Sequence, residues 1–407
     1  MQFFRWLFSR TVRKAGELAD SVEKMLNHQR DVLPKPNIEH IEGALAKLRA
    51  AVSSGADSEA IQAQMTQLEE TANKWLKPYA NGDFREYAVM LLEIAVLILG
   101  SRQFLIQPMV IPTGSAQPTL WGITHHDLRD QSEVQIPSLP GRLWERWIKG
   151  VSYYHFVAEQ DCDITGLDAK PKTYLPFVAK QTIHTTAGDI PVWFPPDRFG
   201  PQLDLTDEYG QVLKKTHFRK GEDIVKAQVV TGDHLFVERV SFNFVRPQRG
   251  EIIVFRSEDH PGMTANTHYI KRLVGLGGDR VRIGDDRHTY INGVQLTTND
   301  YGFDRVFGFD PKQPPRPDHY SGHVNGTIWH QTTGSYGPTP NFPNEQTEVT
   351  VRPGHYICFG DNTMNSSDSR WWGPGPGGEP DFAQEKVIGR SLFVFWPFTS
   401  RVGLALK

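Results

Sequence analysis

Cysteine is scarce in this sequence, with Cys162 and Cys358 as the only two among 407 residues. Two cysteines cannot supply a disulfide framework, and a structural zinc site needs three or four ligands at short spacing. The sequence leaves open whether the two form a single bridge. The "THHD" stretch at 124–127 is a weak metal candidate, because adjacent histidines do not easily share one ligand face. We therefore expect no metal and no cofactor.

An excess of positive charge is also lacking, since the formal net charge is -3. No basic stripe carries the interleaved aromatic residues that would indicate a nucleic-acid partner, so none is expected. The glycine run "GLGGD" at 275–279 is not followed by a helical pattern, which excludes a phosphate-binding loop. Internal repeats and a βαβ rhythm are absent as well.

Long hydrophobic runs are rare, and the one strong run lies within residues 84–108. Its eight strongly apolar residues favour insertion by about 2–5 kcal/mol, and Glu93 opposes it by about 2.5–3.5 kcal/mol. On hydropathy alone the segment is a marginal transmembrane helix, with a buried helix of a soluble protein as the alternative. If it spans, the Lys and Arg residues before it place residues 1–83 in the cytoplasm and the rest outside.

Residues 1–83 have the composition of a separate helical segment, rich in Ala, Leu, Glu, Gln and Lys. Leu45 and Leu48 recur at helical spacing, as do Ile61, Met65 and Leu68. The stretch "SSGADS" supplies a turn and a candidate N-cap between the two patterns. We predict a helical hairpin here.

After residue 110 the pattern changes to short β-branched or aromatic runs separated by Gly, Pro, Asp and Asn, as in "EIIVFR" and "YIKRLVGL". This pattern predicts a mainly β fold, with an antiparallel β-rich domain. We assign that domain to residues 109–121, 230–296 and 351–407. Residues 122–229 are an insertion of unknown role, and residues 297–350 are a second insertion or cap subdomain.

Three pieces of the β region carry polar groups in unusual settings. In "VIPTGSAQPTLWG" at 110–122, Ser115 lies in a turn that is flanked by Pro112 and Pro118. We expect its hydroxyl to be exposed and its backbone amide to be free to bind an oxyanion. An ordinary solvated turn has the same composition.

Lys271 is the second piece, in "THYIKRLVGLGGDRV" at 267–281. Lys271 and Arg272 lie next to each other on a strand and point to opposite faces, so one cation must face whatever the strand packs against. A buried lysine becomes a catalytic base once its pKa falls by roughly 2–4 units. An edge-strand lysine that blocks aggregation is the alternative.

The third piece is the polar loop "GDNTMNSSDSRWWG" at 360–373, in which Asp368 and Arg370 could pair and a serine could bond to a buried amine. These pieces, together with "TGDHLFVERVSFNFVRPQRGEIIVF" and the closing "VIGRSLFVFWPF", resemble the successive conserved boxes of the type I signal peptidases. Four boxes in one order cover roughly half of the chain.

The resemblance implies a membrane-anchored serine/lysine endopeptidase that removes signal peptides from exported preproteins on the extracytoplasmic side of the cell membrane. Ser115 matches the nucleophile and Lys271 the general base, which act through an acyl-enzyme. Thr113 matches a residue that helps the Ser115 amide hold the oxyanion. Ser366 matches a serine that orients the lysine, while Asp368 and Arg370 match a structural ion pair. The implied partners are preproteins and the lipid bilayer, and contact with the secretion machinery stays open.

The sequence departs from the family pattern at three places. Ala116 stands where the family usually has Met, Gly277 replaces a usual proline, and residues 121–230 separate two boxes that are nearly contiguous in typical members. Two alternatives therefore remain. One is a Ser/Lys maturation peptidase with a narrow substrate range. The other is an inactive family member that serves as a membrane-anchored binding protein.

Overall fold

The computed structural model describes residues 9–77, 82–131, 133–175, 178–196, 199–202, 205, 216–335, 337, 339–373 and 379–405. The chain divides into two compact units, Met1–Val96 and Leu97–Lys407. Each unit is described by itself below.

The first unit contains a helical bundle with an apolar core. Its helices are α1 (Arg10–Gln29), α2 (Lys35–Ser53) and α3 (Ser58–Trp75). Asp57 caps α3 by accepting a hydrogen bond from the Ala60 amide at 2.8 Å, as the "SSGADS" turn predicts. Leu45, Leu48, Ile61 and Leu68 are buried in the core.

The predicted hairpin is incomplete, because α1 packs against α2 and α3 as a third helix. Its buried face is Val12, Ala15, Ala19, Val22 and Leu26. Two of these five residues are alanines, which bury little apolar area and do not stand out in a hydropathy pattern. The helical spacing of the five residues is nevertheless regular, and it is the signal that could have revealed the helix.

Helix α4 (Gly82–Phe104) continues from the first unit into the second. Its stretch Tyr87–Phe104 is long and apolar enough to cross a membrane, by length and composition, and none of it is buried within the protein. The helix ends four residues before the predicted boundary at 108, and residues 106–108 belong to the next strand. Pro108 disfavours a helical conformation in the residue before it, which explains the earlier end.

The second unit is built from short strands. In chain order they are β1 (Ile106–Val110), β2 (Thr124–Asp127), β3 (Val151–Val157), β4 (Cys162–Leu167), β5 (Lys172–Leu175), β6 (Val178–Thr185), β7 (Gly188–Trp193), β8 (His217–Phe218), β9 (Asp223–Val230), β10 (His234–Glu238), β11 (Ile252–Arg256), β12 (His268–Leu276), β13 (Arg280–Ile283), β14 (Thr289–Ile291), β15 (Val294–Gln295), β16 (Glu348–Thr350), β17 (His355–Phe359), β18 (Phe382–Ala383), β19 (Val387–Trp396) and β20 (Gly403–Leu404).

Short helices complete this unit: α5 (Leu139–Trp144), which runs into a π-helical turn (Glu145–Lys149), α6 (Phe199–Gln202) and α7 (Gly326–Thr333). The strand pairs formed by the described residues are antiparallel, so the predicted fold class is confirmed.

The central sheet has the strand order β1-β10-β19-β11-β12-β17-β18, with β20 paired to β19. Apolar clusters lie on both of its faces. Ile253, Leu273 and Cys358 belong to one cluster, and Ile252 and Val254 to another. Because both faces are covered, neighbouring residues of β11 and β12 are buried whichever way they point.

Residues 297–350 pack into the same core as the central sheet. Phe303, Phe307 and Phe342 share one apolar cluster with Val274 and Phe359. Strand β16 also pairs with β13, which joins the end of this segment to residues 280–295. Residues of this segment therefore share an apolar core with strands of the central sheet.

Residues 122–229 fold around an apolar core of their own. Strands β2 and β3 flank β9, while β4 to β8 form a second small sheet. Cys162 lies in this core and Cys358 in the central sheet, and both are buried free thiols. The two cysteines therefore do not form a bridge.

Candidate active site

Ser115 lies in a single 3₁₀ turn, Gly114–Ala116, directly after β1. Asn362, which lies in the polar loop at 360–373, holds this turn in place. Its amide donates to the Ser115 carbonyl at 3.2 Å, and its Nδ2 donates to the Gly114 carbonyl at 2.9 Å. Pro112 before the turn and Pro118 after it restrict the backbone further. The Ser115 side chain is thus held on a rigid support, but the prediction of an exposed hydroxyl is wrong, because only 7% of the residue is exposed and its Oγ is bonded to a buried side chain.

Lys271 lies on β12, where it is paired across the sheet with Ile253 of β11. Its Nζ donates a hydrogen bond to Ser115 Oγ at 2.7 Å, which joins residues 156 positions apart in the sequence. Lys271 is 4% exposed. Burial lowers the pKa of its ammonium to about 8, against an upward pull from Asp368. A substantial neutral fraction therefore exists near neutral pH.

Arg272, the next residue on β12, is also buried, although the sequence required only one of the two cations to face inward. Its Nε and Nη2 donate to the two carboxylate oxygens of Asp361 at 2.8 and 2.5 Å. Its Nη1 donates to the Gly250 carbonyl at 2.8 Å. The guanidinium is therefore paired with a carboxylate and bonded to a backbone carbonyl, which compensates for its burial.

Asp368 and Arg370 form the ion pair that the sequence suggested. Arg370 Nε and Nη2 lie 2.9 and 2.8 Å from the two Asp368 oxygens, and both residues are fully buried. Burial would raise the pKa of Asp368, but the charge and hydrogen bonds of Arg370 outweigh it, so the pKa is lowered. Asp368 also accepts from the Gly360 amide at 2.9 Å. The pair thereby closes the polar loop onto the end of β17.

Thr113 and Ser366 flank the Ser115–Lys271 pair in different ways. Thr113 Oγ1 lies 3.5 Å from Ser115 Oγ, close to the limit of a hydrogen bond. The Ser366 hydroxyl is buried and has no hydrogen-bond partner among the described residues. Its neighbour Gly360 has no room for a side chain, because a Cβ there would meet both Ser366 Oγ and the Ser115 carbonyl. Roles for Ser366 in orienting Lys271 and for Thr113 in the oxyanion hole stay predictions.

Side chains from residues 297–350 also reach the Ser115 turn, which sequence reasoning missed. Tyr320 and Thr119 hydroxyls are 3.0 Å apart, and Thr119 also donates to Asp361. Asp318 accepts from Asn362 Nδ2 at 3.2 Å. The residue types gave no signal, because these contacts depend on how the segment folds back over the loop.

The weak metal candidate finds no support. His125 and His126 alternate along β2, so they point to opposite faces of that strand. Within the part of the chain that the structure describes, no group of three His, Cys, Asp or Glu residues could hold a metal ion. What the site assembles is a buried hydroxyl bonded to a buried amine, with amides and hydroxyls nearby. This combination suits acyl transfer by a serine nucleophile and a lysine base.

Comparisons with known proteins relate this chain to the signal peptidases. A family model described as "Signal peptidase, peptidase S26" matches residues 218–396, a range that includes Lys271, Ser366, Asp368 and Arg370 but begins after Ser115. A solved crystal structure of a signal peptidase I from Enterococcus faecalis V583 is 27% identical and covers 36% of this chain and 97% of its own. Its TM-score of 0.22 is too low to establish a shared fold.

Two curated relatives of this chain are named signal peptidase I. The signal peptidase I of Pseudomonas fluorescens is 33% identical over 37% of this chain and 50% of its own length, so this chain spans about half of that relative. The signal peptidase I of Bacillus licheniformis is 30% identical over 41% of this chain and 69% of its own length. Because more than two thirds of this second relative is matched, the chain belongs to the type I signal peptidase family.

Proposed function

We propose that this protein is a membrane-anchored serine endopeptidase that removes N-terminal signal peptides from exported preproteins. The observation that carries the proposal is the 2.7 Å hydrogen bond between the buried Lys271 amine and Ser115 Oγ. The relatives named signal peptidase I supply the substrate class.

In the proposed mechanism, neutral Lys271 accepts the Ser115 proton while Ser115 Oγ attacks the carbonyl carbon of the scissile peptide bond. The Ser115 amide and the Thr113 hydroxyl stabilise the oxyanion of the tetrahedral intermediate. Protonated Lys271 then gives its proton to the leaving amine, which frees the mature protein. Neutral Lys271 next activates a water molecule that hydrolyses the acyl-enzyme and releases the signal peptide.

The remaining site residues support this chemistry without touching the substrate. Asn362 holds the Ser115 turn from its carbonyl side, so the nucleophile keeps one orientation. The Asp368–Arg370 pair fixes the loop that carries Ser366. Ser366 would orient the lysine, as the family resemblance implies. Positioning of this kind raises the rate because the reacting groups start close to the geometry of attack.

Helix α4 is proposed to anchor the enzyme. Its apolar stretch Tyr87–Phe104 is exposed in the protein, which favours lipid as its environment over a protein core. Only the ten positions 105–114 separate the end of α4 from Ser115, so the site stays close to the anchor along the chain. With residues 1–83 in the cytoplasm, the catalytic unit lies on the extracytoplasmic side of the cell membrane, where preproteins emerge.

The test is cleavage of a signal-bearing precursor by the purified full-length protein in detergent. Wild type is expected to cut after a small residue, while Ser115→Ala and Lys271→Ala are inactive but keep the thermal transition of a folded protein. Lys312→Ala serves as the matched control, because Lys312 is an exposed lysine outside the site. A wild type that cuts no precursor, or a Lys271→Ala variant with full activity, would contradict the proposal.

A further inference from the structure

Residues 139–149 form a helix that exposes large apolar side chains in the second unit. The exposed fractions are 61% for Leu139, 49% for Leu143, 63% for Trp144 and 74% for Trp147. Leu139 and Leu143 of α5 and Trp147 of the π-helical turn follow one another at intervals of four, so they lie on one side of this helical segment. Exposing such a stripe to water is costly, and contiguous apolar patches usually mark an interaction site.

This Trp-rich helix, defined as residues 139–149, is firmly attached to the central sheet. Trp396 Nε1 at the end of β19 donates to the Trp147 carbonyl at 2.8 Å, and the Phe398 amide donates to the Ile148 carbonyl at 2.8 Å. The Thr231 amide donates to the Gly150 carbonyl at 2.9 Å. These backbone contacts hold the C-terminal end of the helix in place, while its Leu and Trp side chains stay exposed.

Basic residues border the apolar stripe. Arg142 and Arg146 are exposed and lie one helical turn apart, and Lys149 is paired only at the surface, with Glu145 at 3.2 Å. The Arg146 guanidinium lies 4.7 Å from the ring of Phe194, which is itself 38% exposed. The aromatic surface thus continues from the helix onto the end of β7, with positive charge along its border.

Tryptophan beside basic residues is the composition that favours a membrane interface, where the rings lie at the headgroup level and the cations meet anionic lipid. We propose that the Trp-rich helix lies on an anionic lipid surface and holds the catalytic unit against the bilayer. The proposal rests on the membrane anchorage proposed above for α4.

The position of the helix in the sheet supports a lipid occupant. The chain leaves α4 and enters β1 at Ile106, and β1 spans five residues, or about 17 Å. Val110 at its far end pairs with His234 of β10, which pairs with Trp396 of β19, the residue that holds the helix. The helix thus lies at the far end of β1, separated from the end of the proposed anchor by one strand of five residues. It also lies within residues 122–229, and it gives that insertion a role.

The test uses the full-length protein reconstituted in phosphatidylcholine vesicles with and without phosphatidylglycerol. Trp147→Cys is labelled with a nitrobenzoxadiazole dye, and lipids carrying a doxyl quencher are included in the vesicles. Cys162 and Cys358 are 3% and 0% exposed, so the introduced thiol is the accessible one, and labelled wild type gives the background. Tyr301→Cys is the matched control, since Tyr301 is 55% exposed in residues 297–350.

We expect the dye at position 147 to shift to the blue and to lose most of its fluorescence to the lipid-borne quencher, while the dye at 301 does neither. Trp144→Cys should behave like Trp147→Cys. Arg142→Gln combined with Arg146→Gln should remove the part of the effect that depends on phosphatidylglycerol. Equal, unquenched signals at 147 and 301 would overturn the proposal and would leave a protein partner as the occupant.

Precursor cleavage, measured in the same vesicles, separates this proposal from the function on which it rests. Quenching of the dye at position 147 without precursor cleavage would refute the proposed peptidase function but would support the contact of the Trp-rich helix with lipid. Cleavage without quenching would refute the lipid contact alone. Protein that fails to float with the vesicles would refute both the anchor and the helix contact.

Discussion

Lys271 and Arg272 are adjacent cations on one buried strand, but they are neutralised by different means. Arg272 holds Asp361 through two hydrogen bonds, at 2.8 and 2.5 Å, and stays charged. Lys271 instead donates to the neutral hydroxyl of Ser115, and no carboxylate of the described residues forms an ion pair with it. Burial therefore outweighs the attraction of Asp368 at Lys271, and the pKa of Lys271 falls to about 8.

The activity should depend on the neutral form of Lys271. Since the pKa is about 8, protonation removes the base as the pH falls below that value. We expect kcat/KM for precursor cleavage to fall by about tenfold per pH unit below the pKa and to level off above it. Thermal transitions recorded at each pH check that the protein stays folded. A kcat/KM that is independent of pH across this range would argue against Lys271 as the base.

Breaking the Arg272–Asp361 pair should destabilise the catalytic unit. Arg272→Ala leaves a buried carboxylate without its partner and should lower the free energy of unfolding by about 3–5 kcal/mol. Arg256→Ala is the control, because the Arg256–Glu258 pair is 49% and 40% exposed at 3.6 Å and should matter by about 0–1 kcal/mol. Thermal or denaturant unfolding in detergent measures both variants. Equal small effects would mean that Asp361 is satisfied by other donors such as Thr119.

Ser366 should separate catalysis from stability. If its hydroxyl orients Lys271 during proton transfer, Ser366→Ala should lower kcat by about tenfold to a hundredfold. The same change should leave the free energy of unfolding unchanged or higher, because it removes a buried hydroxyl that lacks a partner among the described residues. Ser366→Thr, which keeps the hydroxyl, should recover part of the activity. A fully active Ser366→Ala would show that Lys271 is oriented without it.

Gly360 should tolerate no side chain. A methyl group there would meet Ser366 Oγ and the Ser115 carbonyl, so Gly360→Ala must displace either the polar loop or the nucleophile turn. We expect cleavage to fall by about a hundredfold or more, since small displacements of a nucleophile are costly. Gly166→Ala on β4 is the control, because a Cβ there meets no atom within 4 Å. Similar activities for the two variants would mean that the turn adjusts freely.

Part of the site could be predicted from sequence because its signals are local. The prolines and glycine around Ser115 predict a rigid turn, and the alternation around Lys271 predicts a strand. The Asp368–Arg370 pair spans only two positions, and it forms as suggested. The Arg272–Asp361 pair joins residues 89 positions apart, so it depends on strand order and register, which a single sequence does not give.

Tertiary packing accounts for the other differences. Lys271 and Arg272 are both buried because apolar clusters cover both faces of the central sheet. The alternation of residues along one strand does not show whether one or both faces of the sheet are covered. The aromatic residues of 297–350 gave no sign that Phe303 and Phe342 would share a core with Phe359. The contact of Tyr320 with Thr119 follows from that shared core.

The two ends of residues 122–229 lie side by side in the fold. Thr124 pairs with Val230, and the Asp233 amide donates to the Trp121 carbonyl at 2.8 Å. The segment therefore leaves the central sheet and returns to it at one place, has its own apolar core, and is also bonded to the end of β19 at Trp147 and Ile148. If it were excised, the chain ends would already be neighbours, and a short turn would join them at little entropic cost. A branch of this kind can be gained or lost in evolution in one step, independently of the chemistry at Ser115.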